Sequence, residues 1–429
     1  MPANSIIPHL STALNGPLMA LEKIFLDHQI TIESWFRTQW TKTPPPFYSS
    51  VDLRNAGYKL APVDTNLFPA GFNNLNPDFI PLCIQAVQAT IAEICSDVTR
   101  LLLIPESHSR NIHYFESLSM LYQILSRAGF DVRIGSLDSS VTEPKKIMLA
   151  HGASLTLEPL IRQNNKVGVN HFFPCCVILN NDLSEGVPEI LQGVEQTIMP
   201  SIKLGWSNRL KSEHFEYYQI ICNEFALLLN IDPWLLNPLF DKCPEVDFMK
   251  QEGQTCLYTR AQHLLNEVKY KYEQYQIKQD PFLVVKADAG TYGMAVMMFQ
   301  SPEELLTLNR KQRTRMSTIK GGKSVTKAII QEGVYTQETW GENHAVAEPV
   351  VYHFGRHVVG GFYRVHTGRG PTENLNSPGM NFEPLAFVNS CHTPPPKEKA
   401  QNRFYAYGVV ARLAVLAAAK EIAAFKNQG

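Results

Sequence analysis

The chain is short of several things that would define a class. It has no Cys-x-x-Cys, and its eight cysteines are scattered at 83, 95, 175, 176, 222, 243, 256 and 391. That excludes a zinc ribbon and a dense disulfide scaffold, and it suits a reducing cytoplasm where cysteine acts as a small apolar residue. It has almost no net charge, −1 at pH 7, so there is no bulk attraction to nucleic acid or anionic membrane. It lacks an uninterrupted apolar span. The most apolar late stretch, YAYGVVARLAVLAAAKEIAAF, carries Arg412, Lys420 and Glu421, whereas a membrane helix needs roughly 20 mostly uncharged residues. A packed C-terminal helix is expected instead. The start, MPANSIIPHLSTALNG, has no basic segment leading into an apolar core, so no secretory leader is expected. No Gly-x-Ser-x-Gly is present, which removes support for a covalent hydrolase.

What is present is ordinary globular material: 429 residues, 44% hydrophobic and 18% charged, enough for two or three lobes. Helical spacing runs over 17–40, and TPPPF at 43–47 stops it. Residues 48–66 read as extended. A helix over about 77–97, the strand RLLLIPE (100–106), a helix over about 111–128 and the strand FDVRIGSL (130–137) follow, with CCVILNND (175–182) as a further strand. That alternation predicts a doubly wound α/β layer. Residues 207–275 read as mostly helical. From 281 the pattern becomes strand, glycine turn, strand (281–299), a capped helix at SPEELLTL (301–308), a strand over 326–334, and two strands around FGRH within 347–367. The organisation expected is 1–75 as N-terminal helices plus a core strand, 76–200 as an α/β domain, 201–280 as a helical segment, 281–390 as a nucleotide-binding region and 391–429 as the C-terminal helix. The fold class expected is α/β (α+β).

The stretch VVKADAGTYGMAVMMF (284–299) carries most chemistry. Gly290 and Gly293 permit a tight turn and close backbone approach, successive backbone N–H groups there can cradle an anion, and Lys286 is a mobile point charge for phosphate. The loop joins two strands, so it is a hairpin flap and not a Walker or Rossmann turn. An ordinary β-hairpin is the plain alternative. The order strand, glycine flap, strand, helix, QEGV strand, long strand pair resembles an ATP-grasp domain. That resemblance implies ATP bound by Lys286, Asp288, Gly290, Thr291, Tyr292 and Gly293. The hinge would be Gln331, Glu332, Gly333 and Val334, with Glu332 or Glu348 on the ribose. The run NRKQRTRMSTIKGGK (309–323) reads as a solvated face, and His353 and His357 flank a strand turn, which excludes the helical geometry of a metal pair.

Such ligases need Mg²⁺, one or two ions, held by hard oxygens. No Glu-x-Asn follows the late strands. Asp64-Thr65-Asn66 is a carboxylate-x-amide pair whose i and i+2 side chains share one face if the segment is a strand, and Asp288 is a third candidate ligand. The arrangement resembles eukaryotic-type glutathione synthetases, which are circularly permuted ATP-grasp proteins; Arg54 and Tyr58 then correspond to substrate-side residues. Arg364 on GGFYRV, with Asn374 and Asn376 on ENLNSPGM, are candidates for binding the acyl substrate, because the guanidinium fork pairs with carboxylate or phosphate oxygens. Glu106, Ser107, His108, Arg110 and Asn111 follow a strand end and form either a second substrate site or a helix cap.

Taken together, VDLRNAGYKLAPVDTNLFPAGFNNL, VVKADAGTYGMAVM, IIQEGV and GGFYRV with ENLNSPGM resemble the proteobacterial glutamate–cysteine ligase family. The resemblance implies a cytoplasmic, ATP-dependent ligase. It would form γ-glutamylcysteine from L-glutamate and L-cysteine through a γ-glutamyl phosphate, the first step of glutathione synthesis. Lys286, Arg364 and Arg54 would be its catalytic cations. Small molecules would be its partners, without nucleic acid or membrane, and with room for a homo-oligomer. Another carboxylate–amine ligase or a non-catalytic nucleotide-binding protein are the alternatives.

Overall fold

The computed structural model describes residues 10–12, 16–107, 111–290, 294–318, 322, 324–383 and 403–427. Two helices, α1 (Pro17–Asp27) and α2 (Gln29–Lys42), replace the single helix expected over 17–40; one apolar stripe of Leu18, Leu21, Phe25, Ile32 and Phe36 runs across both. The extended segment 48–66 is a hairpin of β1 (Tyr48–Asn55) and β2 (Leu60–Asn66). Its turn needs Gly57, at φ 79°, a left-handed conformation that costs glycine little.

The α/β lobe follows, as expected: α3 (Ile80–Ile94), β3 (Arg100–Pro105), α4 (Ile112–Arg127), β4 (Asp131–Ser136), β5 (Lys145–Met148), β6 (Ser154–Pro159), β7 (Cys176–Asn180) and β8 (Thr197–Met199). The six strands lie in the order β8-β7-β3-β4-β6-β5, all parallel except β5. β3 and β7 are near-continuous apolar runs because the sheet is covered on both faces.

The segment expected to be helical holds α5 (Lys211–Leu229) and α6 (Gln254–Gln274), with a strand, β9 (Phe240–Cys243), between them. β9 is four residues long and half polar, so its sequence carries no strand pattern of its own. It is the edge of a four-stranded antiparallel sheet completed by β10 (Leu283–Ala287), β11 (Val296–Phe299) and, after the exposed α7 (Arg310–Ser317), β12 (Ala328–Glu332), in the order β9-β12-β10-β11. SPEELL forms a short 3₁₀ helix with the Ser301–Glu304 capping box.

β13 (Thr339–Trp340), β14 (Ala345–Phe354), β15 (His357–His366) and β16 (Asn381–Glu383) build the third sheet, and β1 pairs with β14. Strands from opposite ends of the chain therefore share one sheet. Its lower face, with Val51, Leu53, Ala347, Val351, Tyr363 and Val365, lies on α8 (Arg403–Asn427), which is buried for most of its length. α8 is held by a buried ion pair, Arg209–Glu421 at 2.7 Å, and Arg209 also donates to the carbonyl of Thr65 at 2.6 Å. No helix among the described residues is long and apolar enough to cross a membrane.

Candidate active site

A cleft of about 830 Å³ lies between the three sheets. Strand alternation decides which side chains reach it. On β10, Leu283, Val285 and Ala287 face the core under α6, so Val284 and Lys286 face the cleft, with Val296 and Met298 beside them on β11. These apolar groups and Val334 line one end. On β12 the same rule separates two neighbours. Gln331 faces the cleft next to Val284; Glu332 also borders the cleft, but its carboxylate is directed to the other side.

Glu332 is fully engaged on the far side: it accepts from Lys59 Nζ at 2.6 Å, Trp234 Nε1 at 3.1 Å and the Leu239 amide at 3.0 Å. Its carboxylate therefore cannot serve as the ribose partner expected from the sequence. Tyr58 is likewise displaced from its expected substrate role. Its ring stacks on Trp234 and its hydroxyl lies 2.6 Å from that of Tyr272, within the core behind the hinge. Asp288 is not placed as a metal ligand or phosphate partner either. Both its oxygens accept from Ser212, from the amide and the hydroxyl, each at 2.7 Å, at the start of α5. A helix N-terminus favours such an anion, and the carboxylate is 2% exposed. Thr291, Tyr292 and Gly293 lie outside the described residues, as do His108 and Arg110. Gly290 lines the cleft. Gly333 does not, but a Cβ there would sit 2.2 Å from the Phe282 ring, so the hinge backbone needs glycine at that point.

Lys286 Nζ donates to the carbonyl of Val63 at 2.9 Å and to Gln331 Oε1 at 2.8 Å, which brings the flap strand onto β2. Burial lowers its pKa to about 8, with Lys211 and Arg54 adding to the effect and Asp64 opposing it. Gln331 Nε2 and Arg364 Nε are buried donors without a partner among the described residues.

The floor is the upper face of the third sheet. Asp52 and Arg54 alternate on β1; Asp64 and Asn66 alternate on β2, with Asp64 directly opposite Asp52. Glu348 on β14 lies between two arginines, accepting from Arg54 Nε at 3.1 Å and from Arg364 Nη1. Arg364 also donates to Asp52 at 2.9 Å. Glu348 thus braces two guanidinium groups and is not free for a ribose. Arg54 additionally donates to the carbonyls of Val334 and Glu373, tying the floor to the hinge and to the loop that bears Asn374 and Asn376, both of which line the cleft.

Charge sets the protonation of this floor. Burial raises the Asp52 carboxyl, Arg364 pulls it down, and Glu348 and Asp64 push it up again. Burial would raise Asp64 as well, but Lys211, at 3.0 Å, and Lys286 outweigh it and hold the carboxyl low. Burial opposes the charge on Arg364, yet Asp52 and Glu348 raise it further. Asp52, Asp64, Asn66 and Glu348 are hard oxygen donors around one space. The donor chemistry of Asp52, Asp64 and Asn66 fits a hard divalent cation, which would relieve the repulsion among the carboxylates, while both oxygens of Glu348 are taken by the two arginines. The three carboxylates are spread more widely than a compact ligand set. Among the described residues, the one group of three His, Cys, Asp or Glu with ligand atoms all within 4.8 Å is Cys95, Cys175 and Cys176, outside the cleft.

Two residues of this floor escape the sequence reading. Asp52 sits two before Arg54, the same spacing that singled out Asp64 and Asn66, so the strand period itself was the signal. Lys211 carries no local pattern; only the fold brings it to Asp64 and over the Trp206 ring at 3.9 Å. Glu106 lines the far end of the cleft and accepts from the Asp182 amide at 3.0 Å, while Asn111 caps α4.

Comparison with known proteins bears on this arrangement. No curated protein matches. Two remote solved structures are a glutathione synthetase like-effector from Globodera pallida (9% identity, TM-score 0.36, 86% of this chain and 80% of that one) and a D-alanyl-alanine synthetase A from Vibrio cholerae (10% identity, TM-score 0.33, 74% and 81%). They are too distant to inform the site. A crystal structure of a candidate gamma-glutamylcysteine synthetase from Methylobacillus flagellatus KT is another matter: identity is 53%, TM-score 0.91, with 98% of this chain and 100% of that one covered. The family profile described as glutamate-cysteine ligase matches residues 22–422, nearly all of the three sheets that enclose the cleft, and the chain belongs to the glutamate–cysteine ligase family.

Proposed function

We propose that the protein joins the γ-carboxylate of L-glutamate to the amine of L-cysteine at the cost of ATP. The product is γ-glutamylcysteine, formed through a γ-glutamyl phosphate, with ADP and phosphate released. The observation that carries this reading is the meeting of Lys286 with the Asp64 strand, through a bond between residues 223 positions apart. A flap cation and a carboxylate floor then face one cleft, as a permuted ATP-grasp arrangement requires.

In this reading Val284, Val296, Met298 and Val334 form the slot for adenine, and Gln331 Nε2 supplies a hydrogen-bond donor to its edge. Lys286 and the backbone around Gly290 draw the phosphates to the cleft floor. Asp52, Asp64 and Asn66 would hold Mg²⁺, which when bound neutralises charge on the phosphate oxygens. Arg364, fixed by Asp52 and Glu348, points a free Nε toward the acyl substrate and stabilises charge on its oxygens. Asn374 and Asn376 cover the substrate side. No side-chain nucleophile is required, because the activated acyl group forms on glutamate itself. The substrates and partners are small molecules, and the proposed compartment is the cytoplasm.

The test is direct. The purified protein is incubated with ATP, Mg²⁺ and glutamate, and cysteine is compared with other amines for ADP release and peptide product. γ-Glutamylcysteine as the preferred product supports the reading. Preference for another acid–amine pair would replace it, and absence of any ADP release would leave a nucleotide-binding protein without catalysis.

A further inference from the structure

Outside the cleft, two thiols approach each other more closely than non-bonded sulfurs rest. Cys243 Sγ and Cys256 Sγ are 2.7 Å apart. A disulfide is 2.03–2.05 Å long, so about 0.7 Å of approach would complete one. The two come from different elements: Cys243 ends the edge strand β9, and Cys256 is the third residue of α6.

Their surroundings differ in a way that assigns roles. Cys243 is buried, opposite Ala328 in the sheet, and burial pushes its thiol up. Cys256 is half-buried and stands in the first turn of a helix, one turn before Arg260, whose guanidinium pairs with Asp241 at 2.6 Å. Helix N-termini and adjacent cations mark the cysteine that attacks in thiol–disulfide exchange. The connecting loop is already shaped to keep the two together. Val246 donates to the Thr326 carbonyl at 2.9 Å, Asp247 and Glu252 pair across it, and Gly253 turns with φ 76° into α6.

We propose that Cys243 and Cys256 are a reversible dithiol–disulfide site that reacts with low-molecular-mass disulfides and tethers α6 to the sheet that carries the hinge. The Cys256 sulfur attacks one sulfur of RSSR, giving a Cys256–SR mixed disulfide and releasing RS⁻. The Cys243 sulfur, losing its proton, attacks Cys256 and expels the second RS⁻. Two protein thiols are oxidised by two electrons and RSSR is reduced to two RSH, the two thiol protons balancing the two released thiolates. β9 pairs directly with β12, whose Gln331 lines the cleft, so the tether stiffens the edge next to the nucleotide end.

The full chain is treated with glutathione disulfide, alkylated and mapped by mass spectrometry. A Cys243–Cys256 cross-linked peptide that dithiothreitol removes is expected. Cys243→Ser should hold a mixed disulfide on Cys256, and Cys256→Ser should leave Cys243 unmodified. Modification confined to the exposed Cys175, or to Cys243 in the Cys256→Ser protein, would overturn the site or its assigned order. Oxidised protein should bind an ATP analogue about twofold or more less tightly, since the tether fixes the edge strand paired with the strand that carries Gln331 into the cleft; equal binding would overturn the coupling to the hinge. That last arm rests on the nucleotide reading of the cleft, whereas the covalent arms do not, so the two fail separately.

Discussion

Nucleotide binding should weaken as pH rises through about 8, because Lys286 loses its charge there. Its environment predicts this: Nζ is held by Val63 and Gln331, burial disfavours the ammonium, and Lys211 and Arg54 add like charge. The sign is fixed. Below about 8 the cation is present and attracts phosphate; above it the neutral amine cannot. One unit above the pKa about a tenth of the molecules keep the charge, so affinity carried by that charge falls about tenfold per pH unit. The assay is equilibrium binding of a non-hydrolysable ATP analogue between about pH 7 and about pH 9.5, with no amino acid present, so that substrate groups do not titrate. Lys286→Arg keeps the charge across that range and should abolish the alkaline limb, even if its larger head weakens binding overall. Lys286→Ala should bind weakly at every pH, without the limb. A limb that persists unchanged in Lys286→Arg, or flat binding in the native protein, would refute the assignment.

Other expectations follow from the same contacts. Asp288→Ala should cost about 1–2 kcal/mol by removing the cap on α5 and leave the Mg²⁺ dependence of turnover unchanged; a shifted Mg²⁺ requirement in titrations would restore a ligand role. Lys59→Met strands the Glu332 carboxylate in the core and should destabilise by about 3–5 kcal/mol in urea unfolding, while unaltered stability would show that the pair is not a brace. Glu421 is held at about 2, against an ordinary 4.5, chiefly because Arg209 and His214 outweigh burial. Its folded pKa is depressed, so its stabilisation is present above about 4.5 and lost as pH falls toward about 2. The amount is about 3 kcal/mol, and Glu421→Gln should flatten the acid-unfolding curve over that window.

The α/β rhythm, the flap hairpin and the late strand pair were legible because long apolar runs and glycine breaks are local signals. Placement within a strand was legible only where the period of two was applied. It joined Asp64 to Asn66, and applied equally it would have separated Gln331 from Glu332 and found Asp52 beside Arg54. Tyr58 and Asp288 are different. Their neighbours in sequence look functional, but a stacking tryptophan nearly 180 positions away and a helix start at Ser212 claim them. No pattern within a strand or turn announces a partner brought in by tertiary packing. β9 was hidden for the same reason, since its pairing with β12 and not its composition makes it a strand.

The shared sheet has a consequence for how the molecule is made. Arg54 leaves the ribosome long before Glu348, its partner 294 positions later. At about 5–20 residues per second, the first hairpin waits roughly 15–60 s with its charged face uncompleted, and α8 comes later still. A chain that stops before Glu348 therefore carries Asp52, Arg54, Asp64 and Asn66 but neither Glu348 nor Arg364, so it lacks the strands that complete the floor and not merely the last helix.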